Sequence, residues 1–378
     1  MTVVLDLLFA ATMTFCILFV LFYRYMSLWA NILICTVKIS IPTAYFYFYG
    51  PRWTPYDGVL YNSIATELLE EGHSPLSLFF EWRFLISYVD SFHITAYWWA
   101  ALAQSIFGQY YFAPVYLNII LTAVIGIYTL FILTKSGMSE AYSTYFLYFF
   151  SVHWSVLTWS SFVYIKGIYI TLFIVAYFYH FISLYEAILT NRGRSIILYN
   201  ITILASIIVL LIFSRFYVIA LLLSSSVAWL ILKARWEVTL IALLFCGLPL
   251  YFVIDYGLNY AIRGGFLDAI SVTSITTTTL RVILTPRPWG LNPEFIFLFV
   301  SSIFHWLFII PATLFGMRLV VRNESVQLLF IFLLSYVAFY SIFNDFASVR
   351  TRVQVLFILA LFQYHFLYQI ITQFKIKY

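Results

Sequence analysis

Uninterrupted apolar runs of about twenty residues recur along almost the whole chain, and few architectures can absorb them. The stretches 3–22, 112–134 and 167–188 are typical. Crossing the hydrocarbon core of a bilayer by helix takes about 20 predominantly apolar residues. Inside lipid the backbone must satisfy its own polar groups, which restricts spanning structures to helices and closed barrels. A barrel would show segments of about ten residues with alternating polarity, whereas these runs are unbroken. Composition agrees, since 64% of the 378 residues are hydrophobic and 9% are charged, against roughly 25% charged in soluble domains. A water-soluble domain, a disordered tail and a nucleic-acid binder are excluded. The sequence reads as an all-α, polytopic membrane protein whose first partner is the lipid bilayer.

Eleven spans are expected, near 3–22, 28–48, 112–134, 141–161, 167–188, 197–214, 216–232, 237–255, 294–318, 326–344 and 353–373. Orientation follows from where Lys and Arg collect, because short cytoplasmic loops are enriched in them. Arg192 with Arg194, Lys233 with Arg235, Arg318 with Arg322, and Lys375 with Lys377 fall on one side if 197–232 is a hairpin with Arg215 at its tip. That side is read as cytoplasmic, which leaves the N-terminus outside and the C-terminus inside a bacterial or archaeal cytoplasmic membrane. Segments 49–111 and 256–293 then become outer loops. The stretch 92–108 is apolar but only 17 residues long, and counting it as a span would invert every later loop. It reads instead as an amphipathic helix lying along the outer surface. No internal repeat or linker divides the chain, so 1–378 is read as a single transmembrane domain. Cys16, Cys35 and Cys246 lie within apolar segments, and no metal-ligand spacing is present.

The first outer loop carries the distinctive pattern. Tyr56-Asp57-Gly58 opens a short helix with apolar positions at 60, 64, 65, 68 and 69, and Gly72 is placed to stop it. His93 follows, then Tyr97-Trp98-Trp99, then Ile106-Phe107-Gly108 and a true span. Downstream come Trp159 to Phe162 with Lys166, Thr285-Pro286-Arg287-Pro288-Trp289, and Arg350 with Arg352 before the last span. In order and topology this set resembles the GT-C superfamily, integral-membrane glycosyltransferases that use lipid-phosphate-linked sugars, such as protein mannosyltransferases and lipid A aminoarabinose transferases. The resemblance covers most of 28–373. It departs from the family pattern in an extra N-terminal helix, in Ile94-Thr95 where two prolines are usual, and in a single carboxylate, Asp57-Gly58, where an Asp-Glu pair is common.

The resemblance implies a polyprenyl-phosphate-linked sugar donor, a glycan or lipid-linked acceptor, and Asp57 as the catalytic base. A carboxylate can take the acceptor proton as bond formation proceeds; the plain alternative is a helix-capping Asp. The departing phosphate needs cations, and guanidinium groups bind it in a forked geometry. Arg215, Arg350, Arg352, Arg281 and Lys166 all map to the outer side, and His93 heads the surface helix, so these six are the candidate phosphate or substrate contacts. Snorkelling to lipid headgroups is the competing role. No paired carboxylates are spaced to hold a divalent cation, so no cofactor is expected, with a divalent metal left as the alternative. Two other functions fit a chain of this kind: a polymerase of surface-polysaccharide repeat units, and a flippase for lipid-linked sugars. The flippase fits less well, because transporters place their sites near the midplane on interrupted, often repeated helices.

Overall fold

The computed structural model describes residues 2–53, 56–91, 93–191, 193–233, 279–280, 283–342 and 350–375. Arg281, the expected span 237–255 and most of the second outer loop lie outside these residues. Among the described residues every regular element is helical: α1 (Thr2–Phe22), α2 (Leu28–Tyr49), α3 (Tyr56–Glu70), α4 (Pro75–Phe80), α5 (Trp82–Val89), α6 (Ile94–Phe107), α7 (Phe112–Lys135), α8 (Glu140–Val152), α9 (Trp154–Ser161), α10 (Gly167–Leu189), α11 (Arg194–Leu232), α12 (Phe299–Arg322), α13 (Glu324–Ile342) and α14 (Leu356–Lys375). Among the described residues eight helical segments are long and apolar enough to cross a membrane. The chain is a helical membrane protein.

The difference from eleven has identifiable causes. One expected span, 237–255, is not among the described residues. The run 141–161 is divided into α8 and α9 by His153, whose ψ of 129° is not helical, so neither piece is long enough alone. The pair 197–214 and 216–232 forms the single 39-residue element α11, interrupted at Arg215, where φ is −158° and ψ is 91°. The chain doubles back there. Asn200 in the first arm bonds His180 at 2.9 Å, and Ser226 in the second arm bonds Tyr177 at 3.1 Å. Collinear arms would hold those two residues about 39 Å apart at 1.5 Å per residue, yet both meet α10 within one turn.

The chain divides into two compact units, one of 1–134, 138–176 and 287–305, the other of 135–137, 177–286 and 306–378. In the first unit, α1 and α2 form an antiparallel pair, with the Asn31 amide donating to the Phe19 carbonyl at 2.8 Å. α7 runs antiparallel to α2, since Lys38 meets Thr122 while Thr43 meets Tyr116. Gly126 lets α8 approach α7 closely: a Cβ there would sit 2.8 Å from the Leu147 side chain.

Helices α3 to α6 fill the segment between α2 and α7. At 15 and 14 residues, α3 and α6 reach about 21–23 Å, short of a hydrocarbon core about 30 Å thick. They pack on each other through Gln104, whose amide donates to the Asn62 carbonyl and side chain at 3.0 and 2.8 Å and whose oxygen accepts from Thr66. Gly72 ends α3 at a φ of 92°. The bonds from His73 N–H to Leu68 and from Gly72 N–H to Leu69 close the helix as a Schellman motif, in which a left-handed residue satisfies the last carbonyls. Ser74 and Ser77 cap α4 reciprocally, and the Trp98 indole ties α4 to α6 through the Pro75 carbonyl at 2.8 Å.

In the second unit, α13 runs antiparallel to the second arm of α11. Trp229 and Lys233 meet Glu324 at one end, and Arg215 and Tyr217 meet Tyr340 at the other. The first of these ends also collects Lys135 with Glu186 at 2.7 Å and Asn323 with the Ser136 carbonyl at 2.8 Å. Arg322 immediately precedes Asn323, so basic loop residues gather at this end of the unit. Gly316 brings α12 against α14, where a Cβ would lie 2.5 Å from the Phe362 ring.

Candidate functional site

Two groups of the sequence-predicted residues are assembled, one in each unit. In the first unit Asp57 lies in the first turn of α3. The next residue, Gly58, presses its backbone onto the segment between α9 and α10. A Cβ at Gly58 would stand 2.7 Å from the Tyr164 carbonyl oxygen and 3.0 Å from the Tyr111 hydroxyl. Only glycine permits that approach, which gives a steric reason for a lone carboxylate at this position. Two residues beyond Tyr164, the Lys166 ammonium stands over the Tyr61 ring at 5.7 Å. A cation in that place is attracted by the negative face of the ring.

Tyr61, one turn along α3 from Asp57, meets Tyr97 of α6 edge-on at 5.0 Å and Tyr164 at 6.2 Å. The Tyr164 hydroxyl donates to the Ala96 carbonyl at 2.6 Å, which locks the segment onto α6. Burial raises the Tyr97 phenol above its ordinary pKa, and the negative charge of Asp57 adds to the rise. Burial also pushes Tyr164 well up, aided by Tyr61 and Tyr111. Both shifts favour the neutral phenol. His93 stands at the N-cap of α6, three residues before Ala96, with its backbone N–H donating to the Ser91 hydroxyl at 3.1 Å.

In the second unit Arg215 occupies the break between the two arms of α11. Its guanidinium donates to the hydroxyls of Tyr217 and Tyr340, the latter at 3.2 Å, and those hydroxyls share a hydrogen bond of 2.5 Å. Tyr340 packs on Tyr336 with ring centroids 4.7 Å apart. The Tyr336 hydroxyl donates to the Thr351 carbonyl at 2.5 Å. This chain of tyrosines links Arg215 to the turn bearing Arg350 and Arg352. Arg352 is 3% exposed, and its guanidinium donates to the Thr285 carbonyl, so it clasps Thr285 onto the turn before α14. Arg350 is half-buried at the head of the same turn. Thr279 bonds Ser341 at 2.7 Å, next to Tyr340 on α13.

The arrangement gives Asp57, Lys166 and His93 one neighbourhood, and Arg215, Arg350 and Arg352 another. Tyr61, Tyr97, Tyr164, Tyr217, Tyr336 and Tyr340 hold these groups; Tyr97 is legible in the sequence only as part of the Tyr97-Trp98-Trp99 motif, and none of the six is expected there as a site residue. Among the described residues no three His, Cys, Asp or Glu side chains lie together as metal ligands. No known protein family, curated protein or solved structure matches the chain. Function must be read from the residues.

Proposed function

We propose that the protein is a GT-C-like membrane glycosyltransferase that moves a sugar from a polyprenyl-phosphate-linked donor to a glycan or lipid-linked acceptor at the outer face of the membrane. The observation that carries the reading is the seat of Asp57: its neighbour Gly58 is pressed on the Tyr164 carbonyl, and Lys166 is held over Tyr61 in the same neighbourhood. A carboxylate beside a cation and protonated phenols can position an acceptor hydroxyl and take its proton. The acceptor oxygen then attacks the anomeric carbon, the bond from that carbon to the phosphate oxygen breaks, and the phosphate leaves with the electron pair. Lys166, in the Asp57 neighbourhood, is assigned to the leaving phosphate; Arg215 and Arg350 are kept as candidate anion contacts of the second unit, with Arg281, which lies outside the described residues. Arg352 is assigned to holding the loop rather than to direct contact, because its guanidinium is buried on a carbonyl. The gathering of Lys135, Lys233 and Arg322 at one end of their unit supports placing that end in the cytoplasm of a bacterial or archaeal cell, and the Arg215 end outside.

The test is Asp57→Asn, which keeps the shape and removes the base. It should abolish product while leaving insertion and detergent stability nearly unchanged, as read by mass spectrometry of the cell-surface glycan. Full-length chains lacking one sugar are the expected phenotype. Wild-type glycan would overturn the base assignment, and single repeats left capped on lipid would replace the transferase with a polymerase.

A further inference from the structure

Lys38 sits halfway along α2, the eleventh of its 22 residues, and is 1% exposed. The ammonium has three protons to donate. It gives one to the Thr122 hydroxyl at 3.1 Å and one to the Ser151 carbonyl at 3.4 Å. Both partners are neutral. Among the described residues no carboxylate forms an ion pair with Lys38. An ammonium buried without a counter-charge is expensive by several kcal/mol even after relaxation, and ionisable groups inside spans are retained where they have a partner or a wet cavity.

Three buried polar groups on the turns of α7, α8 and α9 next to those Lys38 partners have no hydrogen bond. The amide nitrogen of Asn118, one turn from Thr122 on α7, and the hydroxyls of Ser151 and Ser155 are buried with no hydrogen bond in the structure. Ser151 and Ser155 flank the break at His153, which turns the chain out of the helix between α8 and α9. Pro42, one turn after Lys38, has no N–H to give the Lys38 carbonyl. Broken helix in the middle of a membrane persists where it lines a cavity or an ion site. The groups available are an ammonium proton, an amide N–H₂ and two hydroxyls, in the presence of one net positive charge. That set complements a small monovalent anion. A phosphate dianion would leave a net negative charge here, and no guanidinium fork is present to grip it.

We propose that Lys38, Asn118, Ser151 and Ser155 bind one halide-class anion within the first unit, completing the charge of Lys38. The site is independent of the Asp57 neighbourhood and of the glycosyltransferase reading. The test is a melting titration of the purified full chain, replacing gluconate with chloride at constant ionic strength. The melting temperature of the wild type should rise saturably by a few degrees, as expected when a ligand binds only the folded state. Lys38→Met should abolish the rise, and Lys166→Met should keep it. A flat wild-type titration, or an unchanged response in Lys38→Met, overturns the proposal and leaves only water at the site. If Lys38→Met does not fold, chloride NMR on the wild type decides. Excess linewidth that bromide displaces in a saturable manner is expected, and its absence refutes the anion.

Discussion

Replacing Gly58 by alanine tests the geometry of the Asp57 neighbourhood more sharply than removing a charge does. The added Cβ would sit 2.7 Å from the Tyr164 carbonyl oxygen, and ordinary contact begins at 3.4 Å, so the start of α3 must retreat by 0.7 Å. The obstructing atom belongs to the backbone of a segment fixed by the Tyr164–Ala96 hydrogen bond. It cannot swing aside as a side chain would. Overpacking of this kind costs about 1–3 kcal/mol, while the better helix propensity of alanine returns about 1 kcal/mol. The net loss of stability is therefore about 0–2 kcal/mol. Function should suffer more, because a displacement near 1 Å at a positioning site can lower a rate by about 100-fold. Expected results are a melting temperature within a few degrees of wild type and glycan product reduced about 10- to 100-fold.

The proper control is Gly72→Ala, where φ is 92° and nothing lies within 4 Å of the new Cβ. Strain at that left-handed position lowers stability by about 1 kcal/mol and should leave product yield intact. Tyr111→Phe should not rescue Gly58→Ala, because the closer clash is with the Tyr164 carbonyl. Unchanged product in Gly58→Ala at normal expression would refute the claim that this close approach positions Asp57.

Two further predictions concern packing in the second unit. Gly316→Ala places a Cβ 2.5 Å from the Phe362 ring and should lower stability by about 1–3 kcal/mol; Phe362→Leu in the same chain should recover most of that in a detergent melt. Tyr336→Phe strips the hydroxyl that satisfies the buried Thr351 carbonyl, at about 1–3 kcal/mol. It should loosen the turn bearing Arg350, detectable as faster protease cleavage there than in the wild type.

Much of this architecture is legible in the residues. Apolar length alone marks the spans, because the hydrocarbon thickness sets it. Gly72 is readable as a stop, and the short reach of 92–108 as something other than a crossing. Arg215 between two minimal apolar runs is readable as the tip of a hairpin. The break at His153 is not readable, because Ser151-Val152-His153-Trp154 contains neither proline nor glycine. The interruption becomes intelligible only with Lys38 placed against the Ser151 carbonyl from another helix, and a contact between residues 113 apart leaves no local trace. The tyrosines are hidden for a different reason. With 31 of them in the chain, nothing in local sequence separates Tyr340, which holds a guanidinium, from one that anchors at a membrane surface.

The distribution of charge partners carries the remaining argument. Among the described residues the lysine–carboxylate pairs join Lys135 to Glu186 and Lys233 to Glu324, and His73 lies 3.6 Å from Glu81. In the second unit both pairs lie at the basic end, where a carboxylate neutralises each lysine. At the opposite end, among the described residues, Arg215 and Arg352 donate to phenol hydroxyls and a backbone carbonyl. Neutral oxygens orient a guanidinium without cancelling its charge. In an environment of low dielectric that leaves a positive potential far stronger than the same groups would create in water. A carboxylate in the same place would have stabilised the fold and consumed the charge. Among the described residues, tyrosine thus fixes the geometry of Arg215 without a carboxylate to cancel its charge.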